Sequence, residues 1–190
     1  MRKVQAEFSG NDITRDGGVL LPRDFDCRFK LLKSVDAIIS DSRESAYIAR
    51  SHLSLLRKRV YGLCLGYEDL NDHHELRNDP AIQASVEYSE RLGGCSVYAL
   101  LPGESFDRQV AVQMHQVLIV QFIASFNSQP DELILGFDAT DDPTHGEQEG
   151  HFFNGNYDHY CFLPLYVFCG GQLLAATYAP ATLMEPNMYG

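Results

Sequence analysis

No lysine or arginine occurs after Arg108 in this chain of 190 residues. All 15 basic residues lie at or before that position, together with 17 acidic ones, and the remainder carries nine carboxylates unopposed. A chain of formal charge −11 is a poor bulk partner for nucleic acid, because phosphate binding comes from clustered positive charge. The asymmetry still fits a division of labour, with a front module for a polyanion and a back module that collects carboxylates for a cation. Solvated acidic faces would give the same pattern. Long apolar runs are missing too. The longest, Val117 to Phe126, is broken by Gln121 and Ser125, far short of the roughly 20 apolar residues of a membrane span. The opening MRKVQAEFSGND turns polar after two basic residues, so no secretory signal is expected. The five cysteines (Cys27, Cys64, Cys95, Cys161, Cys169) contain no C-x-x-C pair and read as reduced thiols of a cytoplasmic protein. There is no G-x-S-x-G elbow and no Gly-rich phosphate loop with Lys, so nucleophilic catalysis and nucleotide cradling lack support.

What is present is ordinary globular composition, 45% hydrophobic and 22% charged. Gly17-Gly18 opens a short turn-rich unit, and a helix is expected from Phe25 to about Ile39. Asp41 followed by Glu44 has capping-box spacing and starts the next predicted helix. Its apolar stripe is Ala49, Leu53, Leu56, Val60 and Leu63. Arg43, Arg50 and Arg57 recur every seven residues beside that stripe, and Lys58 and Arg59 widen the positive region. This edge could track a phosphate backbone, or its arginines could simply snorkel along an amphipathic helix. Asp79-Pro80 reads as an N-cap with Pro at the first helical position. His73, His74 and Glu75 are adjacent and do not face one point, so no metal site is expected there. Leu92 to Ser105 is punctuated by Gly and Pro and reads as a hinge, which divides the chain into regions 1–106 and 107–190.

A strongly apolar helix from about Asp107 to Phe126 is expected to be largely buried. Leu133 to Phe137 then reads as a short buried strand that delivers Asp138 at its end. Tyr160 to Phe168 is a second strand, Gly170-Gly171 a hairpin turn, and Gln172 to Tyr178 the returning strand. Pro164 should sit at a bulge or on an unpaired side. Asp138, Asp141 and Asp142 leave the first strand within five positions, a donor set suited to a hard cation such as Mg²⁺. An Asp-Asp-Pro turn of purely structural purpose would look the same. His145, His151 and His159 favour structural roles.

The run Leu135-Gly136-Phe137-Asp138-Ala139-Thr140-Asp141-Asp142-Pro143-Thr144-His145-Gly146, followed by Gly155-Asn156-Tyr157-Asp158-His159-Tyr160-Cys161-Phe162-Leu163-Pro164-Leu165-Tyr166, resembles a family of bacterial insertion-sequence transposases of the DDE type. Gly17 to Leu21, Asp41-Ser42-Arg43 and Gly66 to His73 resemble the N-terminal region of the same group. The resemblance covers about Phe8 to Leu174. It implies cut-and-paste DNA transposition by an RNase H-like catalytic domain. There two aspartates and a glutamate hold two Mg²⁺ (or Mn²⁺) ions, with Asp138 at the position of the first aspartate.

The fold class expected is therefore mixed α+β: a mainly helical, DNA-binding N-terminal region over 1–106, then the first three antiparallel strands of an RNase H-like domain. The later aspartate, which sits in a Gly-Asp-Ser-Gly-like segment, and the glutamate have no counterpart here. Gly136 also replaces an acidic residue often seen two positions before Asp138. The sequence thus implies a truncated or frameshifted copy, inactive alone, that binds the metal weakly. Its expected partners are DNA at transposon ends, a second copy or an intact transposase, and no membrane. The alternative reading is a non-catalytic remnant that occupies transposon ends and inhibits an intact enzyme. A Mg²⁺-dependent phosphatase with Asp138 as nucleophile is a further possibility, against which stands Thr140 where such enzymes carry a second Asp.

Overall fold

The structure, a computed structural model, describes residues 13–41, 50–72, 76–86, 108–148 and 150–178, with isolated positions 4, 5, 7, 10, 43 and 48. Glu44, Ala49, the His73–Glu75 cluster, the hinge at 92–105 and the tail from Ala179 lie outside these residues. The chain divides into two units, Met1–Met114 and His115–Gly190. The architecture is mixed α+β, with five α-helices and two small antiparallel sheets among the described residues.

In the first unit a 3₁₀ turn at Gly17–Val19 runs straight into α1, Leu20–Phe29, and α2 follows at Leu31–Asp36. The single helix expected over 25–39 is thus two. Helix α1 begins five residues earlier, which Pro22 permits because a first-turn proline forfeits no helical bond. The break falls at Lys30, which adopts the left-handed conformation at φ 55° and ψ 30°. For a residue with a Cβ that costs roughly 1–2 kcal/mol. Asp26 offsets it: its backbone oxygen accepts Lys30 N–H at 2.7 Å, and its carboxylate accepts Leu32 N–H at 2.8 Å, supplying an acceptor to the start of α2.

Helix α3 spans His52–Cys64 and α4 spans Pro80–Ser85. The N-cap of α3 is Ser51, whose Oγ accepts Ser54 N–H at 3.2 Å. Asp41 caps no helix among the described residues. It closes a local turn by accepting Arg43 N–H at 3.2 Å and gripping the Arg43 guanidinium at 2.7 and 2.6 Å. At α4 the expected cap is present, with Asp79 accepting Ala81 N–H at 2.8 Å and Ile82 N–H at 3.1 Å. Thr14 Oγ1 lies 2.8 Å from both oxygens of the same carboxylate and ties the N-terminal segment to that helix. The core is Val19, Leu32, Tyr61, Leu76, Ile82 and Val86, with Leu53, Leu56 and Val60 packed at its margin. Full burial of a side chain such as Ile82 contributes about 1.5–3 kcal/mol.

The second unit contains most of α5, Arg108–Ala124, followed by six strands. They are β1 (Leu135–Ala139), β2 (Asp142–Pro143), β3 (Phe152–Asn154), β4 (His159–Phe162), β5 (Pro164–Cys169) and β6 (Gln172–Tyr178). One sheet has the order β1-β5-β6 and the other β2-β4-β3, with antiparallel pairing throughout. The strand expected over 160–168 is divided at Leu163 between the two sheets. Pro164 takes the first position of β5, where a missing N–H costs no ladder bond, and the bulge lies instead between Val167 and Phe168. Gly170, at φ 58°, turns the β5–β6 hairpin.

Two burial expectations fail. Strand β1 is exposed at every position, with Phe137 at 68%, and among the described side chains of α5 only Phe122 is buried while Val120 and Ile123 stand in the open. Both segments are apolar enough for an interior, but no second layer among the described residues covers them.

Candidate functional site

Strand β1 delivers Asp138 one residue before its end, paired in register with Tyr166 of β5. Alternation along the strand puts Gly136 and Asp138 on one face of the sheet and Leu135, Phe137 and Ala139 on the other. The Asp138 carboxyl is exposed. Immediately after the strand, Thr140 N–H donates to Pro164 carbonyl at 3.2 Å and turns the chain toward the small sheet.

The other two carboxylates lie at the second sheet. Asp141 Oδ2 lies 3.0 Å from His159 Nε2, which engages that carboxylate within its own sheet. Asp142 begins β2 opposite Phe162. Beneath them Cys161 is fully buried; burial pushes its thiol above the ordinary range, and the charges of Asp141 and Asp142 push the same way. His151 Nδ1 accepts Gln148 N–H at 3.2 Å, and its ring lies 5.0 Å from that of Tyr160. Among the described residues, no group of three His, Cys, Asp or Glu side chains could hold a metal ion. A hard divalent cation needs several oxygen ligands, so Asp138 with its described neighbours does not fit a two-metal centre.

The basic residues are also placed differently from a helix edge. Arg43 and Arg50 precede α3 and do not belong to it. Arg57 Nε donates to Asp26 Oδ2 at 3.0 Å, and both side chains are almost wholly buried. Arg50 and Lys58 are buried as well, at 8% and 4% exposure. Arg43 is engaged by Asp41, and Arg59 Nη1 donates to Glu68 carbonyl at 3.1 Å. Of the five, Arg43, Arg57 and Arg59 keep partial surface, Arg57 with 11% of its side chain exposed.

Asp26 is the residue that sequence reasoning missed. Its second oxygen also accepts the Tyr61 hydroxyl at 3.2 Å, and burial and the Asp26 charge push that phenol well above its ordinary range. An aspartate seven positions after Val19, on the buried side of the same helical segment, was the available signal. Such a carboxylate requires a cation or several donors.

The profile of transposase DDE domain group 1 matches residues 1–186. No curated protein and no solved structure shows significant similarity to the chain. A match over nearly the full length joins the helical front and the strand that carries Asp138 in one pattern, and the chain belongs to the transposase DDE domain group 1 family.

Proposed function

We propose that this chain acts in DNA transposition, that Asp138 is the first aspartate of the DDE set, and that the chain alone does not cleave DNA. The observation that carries the reading is the position of Asp138 near the end of β1, the first strand of the antiparallel β1-β5-β6 sheet. Three antiparallel strands in that order are how an RNase H-like sheet begins, with β2, β3 and β4 as an excursion between its first two strands. The sequence carries no Gly-Asp-Ser-Gly segment for a second aspartate, which supports the second part. The test is incubation with DNA carrying transposon ends in Mg²⁺ or Mn²⁺. No strand cleavage is expected, and cleavage that disappears in Asp138→Asn would show that the chain is active by itself.

A second reading, a DNA-binding protein that occupies transposon ends and inhibits an intact transposase, is favoured by the confinement of all 15 Lys and Arg to the stretch ending at Arg108. In this reading Arg59 and Arg43 face phosphate, and Arg50, Arg57 and Lys58 support the fold beneath. Binding should weaken steeply with salt, as counterion release requires. Retention of DNA independent of ionic strength would contradict it.

A further inference from the structure

One face of the small sheet β2-β4-β3 is aromatic and acidic, and we propose that it takes an arginine-rich segment of a partner protein. Phe153 of β3 and Tyr160 of β4 stand directly opposite each other in register, so their side chains share a face. Both remain open, at 52% and 54% exposure. Their rings lie 5.4 Å apart at 69°, edge to face, and the His151 ring lies 5.0 Å from that of Tyr160. Asp142 belongs to the same face, because it pairs with Phe162, two positions along β4 from Tyr160. It is exposed, and the unit His115–Gly190 contains no Lys or Arg to neutralise it. The opposite face carries the buried Cys161.

The face of an aromatic ring is electron-rich and attracts a cation within about 6 Å. A guanidinium suits this surface better than an ammonium. It is planar and weakly hydrated, stacks on a ring, and grips a carboxylate with two N–H donors. Diagonal neighbours across a strand pair lie about 7–8 Å apart, so one arginine stacked on Tyr160 reaches Asp142. Glu147 and Asp158 are exposed in the loops that border the sheet, and they supply negative charge for further basic residues of the same segment. Nine carboxylates beyond Arg108, unopposed by a single Lys or Arg, repel phosphate, which sets nucleic acid aside as the occupant of this face. The inference is independent of the role of Asp138, since no residue of the β1-β5-β6 sheet takes part.

The test is isothermal titration calorimetry of the full chain at near-physiological salt with two probes of equal charge, hexa-arginine amide and hexa-lysine amide. Hexa-arginine should bind roughly threefold or more tighter, because charge is matched and the guanidinium stacks better. Phe153→Leu and Tyr160→Leu should remove that preference while leaving the net charge unchanged, and Tyr160→Phe should retain it. Asp142→Asn should weaken hexa-arginine by a similar factor, and with Tyr160→Phe it decides the matter if a Leu variant melts early by circular dichroism. Hexa-arginine that does not bind, or binds no better than hexa-lysine, overturns the proposal. So do folded Leu variants that keep the preference, since the attraction is then net charge alone. Oligothymidylate binding that Tyr160→Leu abolishes also overturns it, and would make the face a platform for bases.

Discussion

Arg57 and Asp26, 31 positions apart, form a buried ion pair at 3.0 Å that joins α3 to α1. The other Asp26 oxygen accepts the N–H of Leu32, so one carboxylate fixes the break at Lys30, the start of α2 and the docking of α3. Removal of one member of a buried pair leaves the other charge without compensation, at a cost of about 3–5 kcal/mol. Arg57→Ala and Asp26→Ala should therefore each unfold the first unit at much lower urea than the parent. Arg59→Ala should shift the midpoint little, since its side chain is partly exposed.

Asp79 holds α4 from outside. Asp79→Ala removes the cap of Ala81 and Ile82 N–H and also releases Thr14. A lost cap costs about 0.5–2 kcal/mol, and the Thr14 contact adds to it. Asp79→Asn should recover part of the loss in chemical denaturation, because its side-chain oxygen still accepts from the helix.

The Arg43 guanidinium holds the Asp41 carboxyl down at about 2, below its ordinary value of 3.8. A depressed folded value means that the contribution of this turn is present above about pH 4 and is lost as the pH falls toward 2. Carboxyl NMR titration should show the low midpoint, and Arg43→Gln should return it toward 3.8.

Cys161 and Cys64 should separate sharply in thiol labelling. Cys64 is exposed, whereas Cys161 is buried with its thiol pushed up by that burial. A disulfide reagent at neutral pH should modify Cys64 quickly and reach Cys161 only on unfolding. Equal rates would show that β4 is open to solvent.

The features legible in the sequence were those written locally. Asp79-Pro80 marked a helix start because cap and proline act within one turn, and Gly170-Gly171 marked a hairpin because only its own backbone must be satisfied. Asp138 near a strand end followed from the apolar run before it. What required distant partners was not legible. The break at Lys30 depends on Asp26, and Asp26 depends on Arg57 and Tyr61 from another helix. Heptad spacing of Arg43, Arg50 and Arg57 suggested a common face, but a face exists only if one helix carries all three, and Ser51 starts α3 after two of them. Burial of β1 and α5 was inferred from their composition. Composition states what a segment would bury, and the layer that buries it comes from elsewhere.

The most direct test of the central claim is Mn²⁺ binding to the full chain, followed by electron paramagnetic resonance, for the parent and Asp138→Asn. A single aspartate cannot assemble a metal pair, so the account predicts weak binding without spin coupling between ions. Two tightly bound, coupled Mn²⁺ ions per chain, lost in Asp138→Asn, would contradict it.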